Sequence, residues 1–337
     1  MSEVRSTILS ALLIVCCAIT TWGQLPEEAP PSWINGLNLT GGLPEKLLAT
    51  RSAVFYSHTL SEKELDEVQK TFLQTGIDAV AYYELDMLMA SKDITRTFAD
   101  YFTKREISNL ILLERDENGY RLSITVVDGK EDVVAPQQMA WSISNRVLPE
   151  VLKSLYRTAA NQQKRLNLLI NDLPEKDLPI NPILGKRNEF FAIDLKVDPL
   201  AVPKFGNEQM DKELEEIIKN NYPLKYKLTE PGLSEKDLRK QGSLYIMCIV
   251  HTRGAVAQKL LGYDMSKVES SLTSVTYPEP GKPEVKNIPG NAPIYKVYFK
   301  HIDSGNVFLG TKWDADVTWQ QALINHIRGL KAELRIN

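Results

Sequence analysis

Residues 120–129, YRLSITVVDG, and residues 295–305, YKVYFKHIDSG, decide the fold, because they show one pattern twice. In each copy a tyrosine opens a run in which apolar and polar side chains alternate, and an aspartate followed by a glycine ends it. Alternation with a period of two predicts a half-buried β-strand, and the Asp and Gly predict a turn. Each strand leads through a short extended stretch to a tryptophan, Trp141 or Trp319, and then to an amphipathic helix. We therefore expect two modules that each end in strand, strand, helix.

The residues before each copy repeat a longer order of elements. Helical spacing of apolar residues separates short strand-like runs, and Ser61 with Glu64 predicts a capping box at the first helix. The tetrapeptide LPEK precedes both sets. The predicted strands are residues 53–56, 79–83 and 110–113 in the first module, and 190–195, 224–228 and 244–250 in the second. The sequence thus predicts an α/β (α+β) protein of two tandem related modules of order β-α-β-α-β-β-α, derived from an internal duplication.

Breaks rich in proline and glycine predict the boundaries of these modules. We expect a signal peptide at residues 1–23, an extended leader at 24–42, the first module at 43–165, a Pro-rich linker at 166–188 and the second module at 189–337.

The second module carries an insertion at about residues 252–293. Residues 268–277 alternate like a strand, and residues 278–283, together with Pro289 and Gly290, predict a long exposed loop. Long loops on a rigid scaffold often bind partners, although a tolerated surface insertion explains this one equally well.

The N-terminus predicts export. An apolar run of about 12 residues follows Arg5, which is the length of a signal-peptide core and too short to cross a bilayer as a helix. Small residues at Thr21 and Gly23 predict cleavage before Gln24. A lipid anchor at Cys16 or Cys17 is disfavoured because bulky residues precede the cysteines. We expect a periplasmic or extracellular protein without a transmembrane segment after cleavage.

Composition excludes several classes of function. The net charge is −3, with basic and acidic residues interspersed, so no basic field for nucleic acid is expected. The glycine patterns of dinucleotide and phosphate-binding loops are absent, as is the G-x-S-x-G pattern of serine hydrolases. We therefore expect no cofactor.

Four residues near the ends of two predicted strands form the strongest catalytic candidate: Cys248, His251, His301 and Asp303. If the strands are neighbours, these side chains could provide a nucleophile and base, as in a hydrolase, or a zinc site. The simpler interpretation is that Cys248, which lies in an apolar run, is a small buried hydrophobic residue.

Two further sets of residues are candidate ligand sites. Asp303, Asp314 and Asp316 lack the spacing of a calcium loop, so no metal is expected. Asp316 is interpreted as a cap of the last helix or as a favourable charge at the positive end of its dipole. Trp313, Trp319 and Tyr277 could bind a small ligand or glycan, although aromatic residues at the starts of elements are mostly core anchors.

The two runs 43–159 and 173–334, by their order of elements and by the export signal, resemble the small α/β modules of bacterial envelope proteins, such as the N-terminal domain of TolB and the CsgG and LpoB group. The resemblance implies a non-catalytic protein that binds a protein partner in the cell envelope. The leading hypothesis is therefore an exported partner-binding protein that uses the insertion and the groove between the modules.

Overall fold

The computed structural model describes residues 36–128, 133–135, 137–162, 164–176, 180–264, 271–279 and 282–336. The predicted signal peptide, its cleavage site and Cys16 and Cys17 lie outside these residues. Of the predicted leader, residues 36–42 are described, and Asn38 forms a β-bridge with Met139. Within the described ranges, none of the helices has the length and apolar character needed to cross a membrane.

The first sheet contains six strands in the order β5-β4-β3-β1-β2-β6. The central strand β1 runs parallel to β2 and β3, and β3, β4 and β5 are antiparallel neighbours. The strands are β1 (Arg51–Tyr56), β2 (Asp78–Glu84), β3 (Ile107–Asp116), β4 (Gly119–Val126), β5 (Trp141–Asn145) and β6 (Glu175–Lys176). The helices are α1 (Glu62–Thr75), α2 (Leu85–Leu88), α3 (Lys92–Arg105) and α4 (Leu148–Gln162).

The second sheet has six strands in the order β7-β14-β13-β10-β8-β9, and a separate hairpin joins β11 to β12. The strands are β7 (Arg187–Asn188), β8 (Leu200–Pro203), β9 (Tyr226–Thr229), β10 (Tyr245–Arg253), β11 (Ser271–Glu279), β12 (Lys282–Pro289), β13 (Pro293–His301) and β14 (Val307–Phe308). The helices are α5 (Glu208–Asn221), α6 (Glu235–Lys240), α7 (Gly254–Leu260) and α8 (Trp319–Leu334).

The two sheets share one arrangement of strands. The orders β5-β4-β3-β1-β2 and β14-β13-β10-β8-β9 correspond position by position, and the parallel and antiparallel pairs match. The α/β (α+β) class is as predicted, and so is the capping box, in which Ser61 and Glu64 bond each other's backbone amides. Descent from one duplicated ancestor remains a prediction.

The first strand predicted for the second module is wrong. Residues Ile193–Lys196 form a 3-10 helix, and β8 begins at Leu200. The apolar side chains of Phe190 and Ile193 that suggested a strand are mostly exposed. The true strand, LAVP, is buried on both faces and too short to show alternation.

The repeated LPEK tetrapeptide does not mark equivalent positions. Residues 45–49 form turns before β1, whereas Glu175 and Lys176 form β6 at the edge of the first sheet. The predicted linker 166–188 thus supplies β6 to the first sheet and β7 to the second.

The insertion and the start of α8 also differ from expectation. The residues predicted as a loop belong largely to the β11–β12 hairpin. Proline has no amide hydrogen to donate, but β12 pairs with β11 along one edge, so prolines are tolerated on its other edge. The cap of α8 is Thr318, whose hydroxyl accepts from the amide of Gln321, whereas Asp316 forms an ion pair with Lys286.

One apolar cluster spans both modules, in addition to one cluster within the first module and one within the second. Phe55 and Phe98 of the first module belong to the same buried cluster as Val250 and Leu260 of the second. The backbone of β10 extends this contact, because the amide of His251 donates to the carbonyl of Ala90 at 2.9 Å. This close packing places the start of α3 beside β10.

Candidate functional site: a crevice between the two modules

The site originates where β8 stops pairing with β10. The amides of Leu200 and Lys204 donate to the carbonyls of Lys225 and Thr229 on the β9 side, so the alternate positions of β8, including Pro203, face β10. Proline has no amide hydrogen and cannot continue the ladder. The pairing of β8 with β10 ends at Ala201 and Ile246, while β10 continues to Arg253. The sheet therefore opens beside the second half of β10.

A crevice of about 450 Å³ occupies this opening. It lies outside the carboxyl end of β8, at the point where β9 and β10 diverge to opposite sides of that strand. Ligands of open α/β sheets bind at such topological switch points. Both modules contribute to its lining: residues 90–93 and Arg96 from the first, and residues 203–205, 232–235, 246–249, His251, Tyr295, Tyr298 and Trp319 from the second.

One end of the crevice is aromatic. Phe205 and Trp319 pack edge to face with ring centroids 4.9 Å apart, and the rings of His251 and Tyr295 stack at 3.9 Å. His251 is neutral near pH 7, because burial lowers its pKa and the bond from Nδ1 to the carbonyl of Ile294 offsets this only in part. Phe205 and His251 are half-buried at this end, whereas Tyr295 and Trp319 are buried.

The other end carries charges from both modules. The Lys300 ammonium donates to Asp93 at 3.1 Å and to Glu235 at 2.8 Å, which joins α3 to α6. Burial opposes the charge of Lys300, but the adjacent carboxylates outweigh it and raise the pKa of this lysine. The Arg96 guanidinium is 3.6 Å from Asp93 and 3.9 Å from Glu235, and its side chain is 39% exposed.

Cys248 lies at the charged end, with Sγ 3.9 Å from a carboxylate oxygen of Asp93. Burial and the negative charge of Asp93 raise the pKa of the thiol, and Lys300 compensates only in part. A thiol in this state is a poor nucleophile, since thiolate is the reactive form.

The structure does not bring the four residues of the predicted hydrolase together. Cys248 is opposite Tyr298 and His251 is opposite Tyr295, three positions along the strand, so their side chains point to opposite faces of the sheet. His301 pairs with Tyr245, about 10 Å along the strands from Cys248 and about 20 Å from His251 at roughly 3.4 Å per residue.

Asp303 and His301 have structural partners of their own. Asp303 forms an exposed ion pair with Arg239 at 2.8 Å, and the His301 ring packs on Tyr245 with centroids 5.0 Å apart. In the part of the chain that the structure describes, no group of three or more His, Cys, Asp or Glu is arranged to hold a metal ion.

The three aromatic residues predicted to bind a ligand lie in three places. Trp319 lines the crevice, Trp313 packs on Tyr263 with centroids 5.0 Å apart, and Tyr277 lines a separate cavity of about 220 Å³. They do not form one binding face.

A second buried polar cluster lies beneath that smaller cavity. Lys296 donates to Asp314 at 2.5 Å and to the carbonyls of Val297 and Leu309, and His326 Nδ1 is 2.9 Å from the second oxygen of Asp314. Burial opposes the charge of Asp314, but Lys296 and His326 lower its pKa. Because Lys296 and His326 are fully buried, this cluster is part of the core.

Five residues of the crevice were not predicted from the sequence as site residues: Asp93, Arg96, Glu235, Lys300 and Phe205. A usable signal was present: Ser91 and Ser234 each cap a helix whose first turn carries the acidic residue. The signal does not reveal that the two helix starts meet, because they are more than 140 residues apart in the chain.

Comparisons with known proteins assign no relationship to this chain. A scan against protein-family models finds no match, and a search of curated proteins finds none either. The resemblance to envelope modules therefore stays a prediction, and the crevice is defined by its own geometry.

Proposed function

We propose that this chain is an exported, non-catalytic binding protein that recognises a protein partner at the crevice between its modules. The observation that carries the proposal is the crevice itself, which both modules build at a topological switch point and which has an aromatic end and a charged end. The displacement of Cys248 from His251 and the raised pKa of the thiol support binding over hydrolysis.

The predicted signal peptide supports the exported location, and the resemblance to envelope modules supports a protein partner in the cell envelope. Mass spectrometry of the N-terminus of the protein purified from its own cells tests export. A mature chain that begins at Gln24 is expected, and a chain that retains residues 1–23 in the cytoplasmic fraction contradicts export.

Site-specific photocrosslinking tests the crevice. Benzoylphenylalanine replaces Leu233, a half-buried residue of the lining, and in a matched protein it replaces Val285, an exposed residue of the β11–β12 hairpin. In the cells that make the protein, we expect one discrete crosslinked product from position 233, which is lost when Phe205→Glu is added. The hairpin position is expected to give no such product.

Crosslinking from the hairpin alone would move the interface to the insertion. Absence of a product from either position, together with turnover of a substrate by the purified protein, would refute the proposed function.

A further inference from the structure

We propose that the crevice binds an extended segment of a polypeptide, whose backbone adds to the open edge of β10 at Ile249 as a short strand. This inference rests on the proposed function and specifies how the partner is held. Backbone hydrogen bonds position the segment, and a large apolar side chain of the segment packs beside Phe205.

The backbone groups of Ile249 point into the crevice. Tyr295 exchanges both of its backbone hydrogen bonds with Asp316, so its amide and carbonyl face away from β10. His251 is opposite Tyr295, and its amide donates away from β13, to the carbonyl of Ala90 at 2.9 Å. In an antiparallel pair the backbone groups of successive residues alternate between the two edges of the strand. Those of Ile249, two residues before His251, therefore face the same edge as those of His251.

The edge of β10 at Ile249 has no strand beside it. The pairing of β10 with β8 ends at Ile246 and Ala201, and Pro203 lacks the amide hydrogen that would extend it. Among the residues that the structure describes, none bonds the amide or the carbonyl of Ile249 on this edge. Unpaired backbone donors and acceptors at the edge of a sheet are a template for another strand. Their chemistry specifies the occupant, which is an extended chain that offers a carbonyl and an amide.

The length of the open edge limits the added strand to a few residues. The contact with Ala201 closes one end, and the bond between His251 and Ala90 closes the other. The distance from Ile246 to His251 is about 17 Å at roughly 3.4 Å per residue. A crevice of about 450 Å³ lies toward the lower end of the range of ligand pockets, which fits a short segment better than a folded surface.

The two faces of the sheet impose different side chains on the segment. Opposite residues of neighbouring strands share a face, so the ligand residue opposite Ile249 lies on the side of Phe205 and Trp319. An aromatic or large aliphatic side chain gains contact area on the half-buried ring of Phe205. The ligand residues before and after it point the other way, toward Cys248 and Ser91, where the first module packs closely. We therefore expect a large apolar residue with a small residue on each side.

Addition of a strand to an exposed sheet edge is a known mode of peptide recognition, in which backbone bonds supply affinity and alternate side chains supply specificity. Phage display of random heptapeptides on the full folded chain supplies the probes, and fluorescence polarisation measures their binding. Each probe carries fluorescein at its N-terminus and an amide at its C-terminus. The selected peptides are expected to share the pattern of small, large apolar and small residues, and to bind Phe205→Glu about tenfold or more weakly. Failure to select any peptide that depends on Phe205 would overturn the proposal.

N-methylation of the peptide tests the strand geometry without altering the protein. Each amide of the best probe is methylated in turn, which removes one hydrogen-bond donor at a time. Only alternate amides of an added strand face β10, so the loss of affinity is expected to recur at every second position, at about threefold to tenfold each. Equal losses at all positions, or at none, would contradict an added strand.

Ile249→Pro tests the edge from the side of the protein. Proline lacks the amide hydrogen that faces the crevice, and the ladder with β13 keeps its bonds because the amide of Ile249 points away from it. Ile249→Ala is the matched control, since it also shortens the side chain but keeps the amide. The proline variant is expected to bind the probe about threefold to tenfold more weakly than the alanine variant. Equal binding by two variants that both retain the circular dichroism spectrum of the unaltered chain would overturn the assignment to Ile249.

Amide hydrogen exchange gives the same test on the unaltered chain. With ¹⁵N-labelled isoleucine, the amide of Ile249 is expected to exchange at least about tenfold more slowly when the probe is saturating, because it gains a backbone acceptor. An unchanged rate with the probe bound would place the peptide elsewhere. If no selected peptide binds while the Phe205-dependent crosslink from position 233 persists, this inference fails and the proposed function stands.

Discussion

Removal of the carboxylate of Asp314 is expected to destabilise the second module strongly. Asp314 accepts from the ammonium of Lys296, and both side chains are almost completely buried. After Asp314→Asn, the charge of Lys296 loses its carboxylate partner and is left with neutral groups, among them the carbonyls of Val297 and Leu309. Loss of one partner of a buried ion pair typically costs about 3–5 kcal/mol.

A second route gives a similar magnitude. The variant can avoid the buried charge by releasing the proton of Lys296, whose ordinary pKa is about 10.4. At pH 7, which is roughly 3.4 units below the ordinary pKa, releasing the proton costs about 5 kcal/mol, since each unit corresponds to about 1.4 kcal/mol. At pH 9 the same release costs only about 2 kcal/mol.

The pH dependence follows from this proton. Burial lowers the pKa of Lys296 in the native chain, and without the opposing effect of the Asp314 charge this pKa falls further, so the unfolded variant binds more protons than the folded one at neutral pH. Stability then rises with pH, and the deficit of Asp314→Asn is expected to shrink by about 2–3 kcal/mol between pH 7 and pH 9.

Equilibrium urea unfolding followed by circular dichroism measures these free energies. Lys296→Met combined with Asp314→Asn is expected to recover most of the loss, since asparagine still accepts from His326 and the buried charge is gone. Glu279→Gln is the control, because its pair with Lys282 is exposed, and it is expected to change stability by less than about 0.5 kcal/mol. A loss below about 1 kcal/mol for Asp314→Asn, with no change between pH 7 and pH 9, would refute the reasoning.

Three further predictions concern the folded state. Burial lowers the pKa of His251 and of His326, so the unfolded chain takes up protons first as the pH falls below about 6.5. The free energy of unfolding is therefore expected to decrease from pH 7 to pH 5, by at most about 1.4 kcal/mol per pH unit for each histidine. A urea-unfolding free energy that does not change over this pH range would contradict this. Ser61→Ala, which removes the N-cap of α1, is expected to cost about 1 kcal/mol in the same assay, and an unchanged midpoint would show that the cap contributes nothing. Gly119→Ala combines a φ of +129° with a Cβ that would overlap the carbonyl oxygen of Asn145 at the end of β5, so we expect a loss above about 2 kcal/mol. Gly42→Ala, whose Cβ meets nothing within 4 Å, should be nearly neutral, and similar losses for both would argue against the steric cause.

Most strands of the fold were predictable because their signals are local. The alternation of residues 120–129 and 295–305 predicted β4 and β13, and the capping box of Ser61 and Glu64 located the start of α1. Prediction failed where burial on both faces removes alternation, as in the short strand β8.

The candidate site was predicted only in part. A groove between modules and Trp319 were among the expectations, and both belong to the crevice that the structure contains. The convergence of Asp93 with Lys300 was not predictable, because it depends on how α3 packs beside β13 across the module boundary.

The sequence by itself determined the two-module α/β organisation, since periodicity, caps and turn residues act over a few neighbouring positions and specify each element locally. Only the tertiary structure decided which elements meet. It placed the side chains of Cys248 and His251 on opposite faces of a sheet, and it joined Asp93 to Glu235 through the ammonium of Lys300. The physical reason is that the side chains of one strand alternate between faces, and the neighbour of each face is set by packing between elements distant in the chain. Pro203, which opens the crevice, depends on both the sequence and the tertiary structure. It lacks an amide hydrogen in any context, but the missing hydrogen bond interrupts the sheet only because this position faces β10.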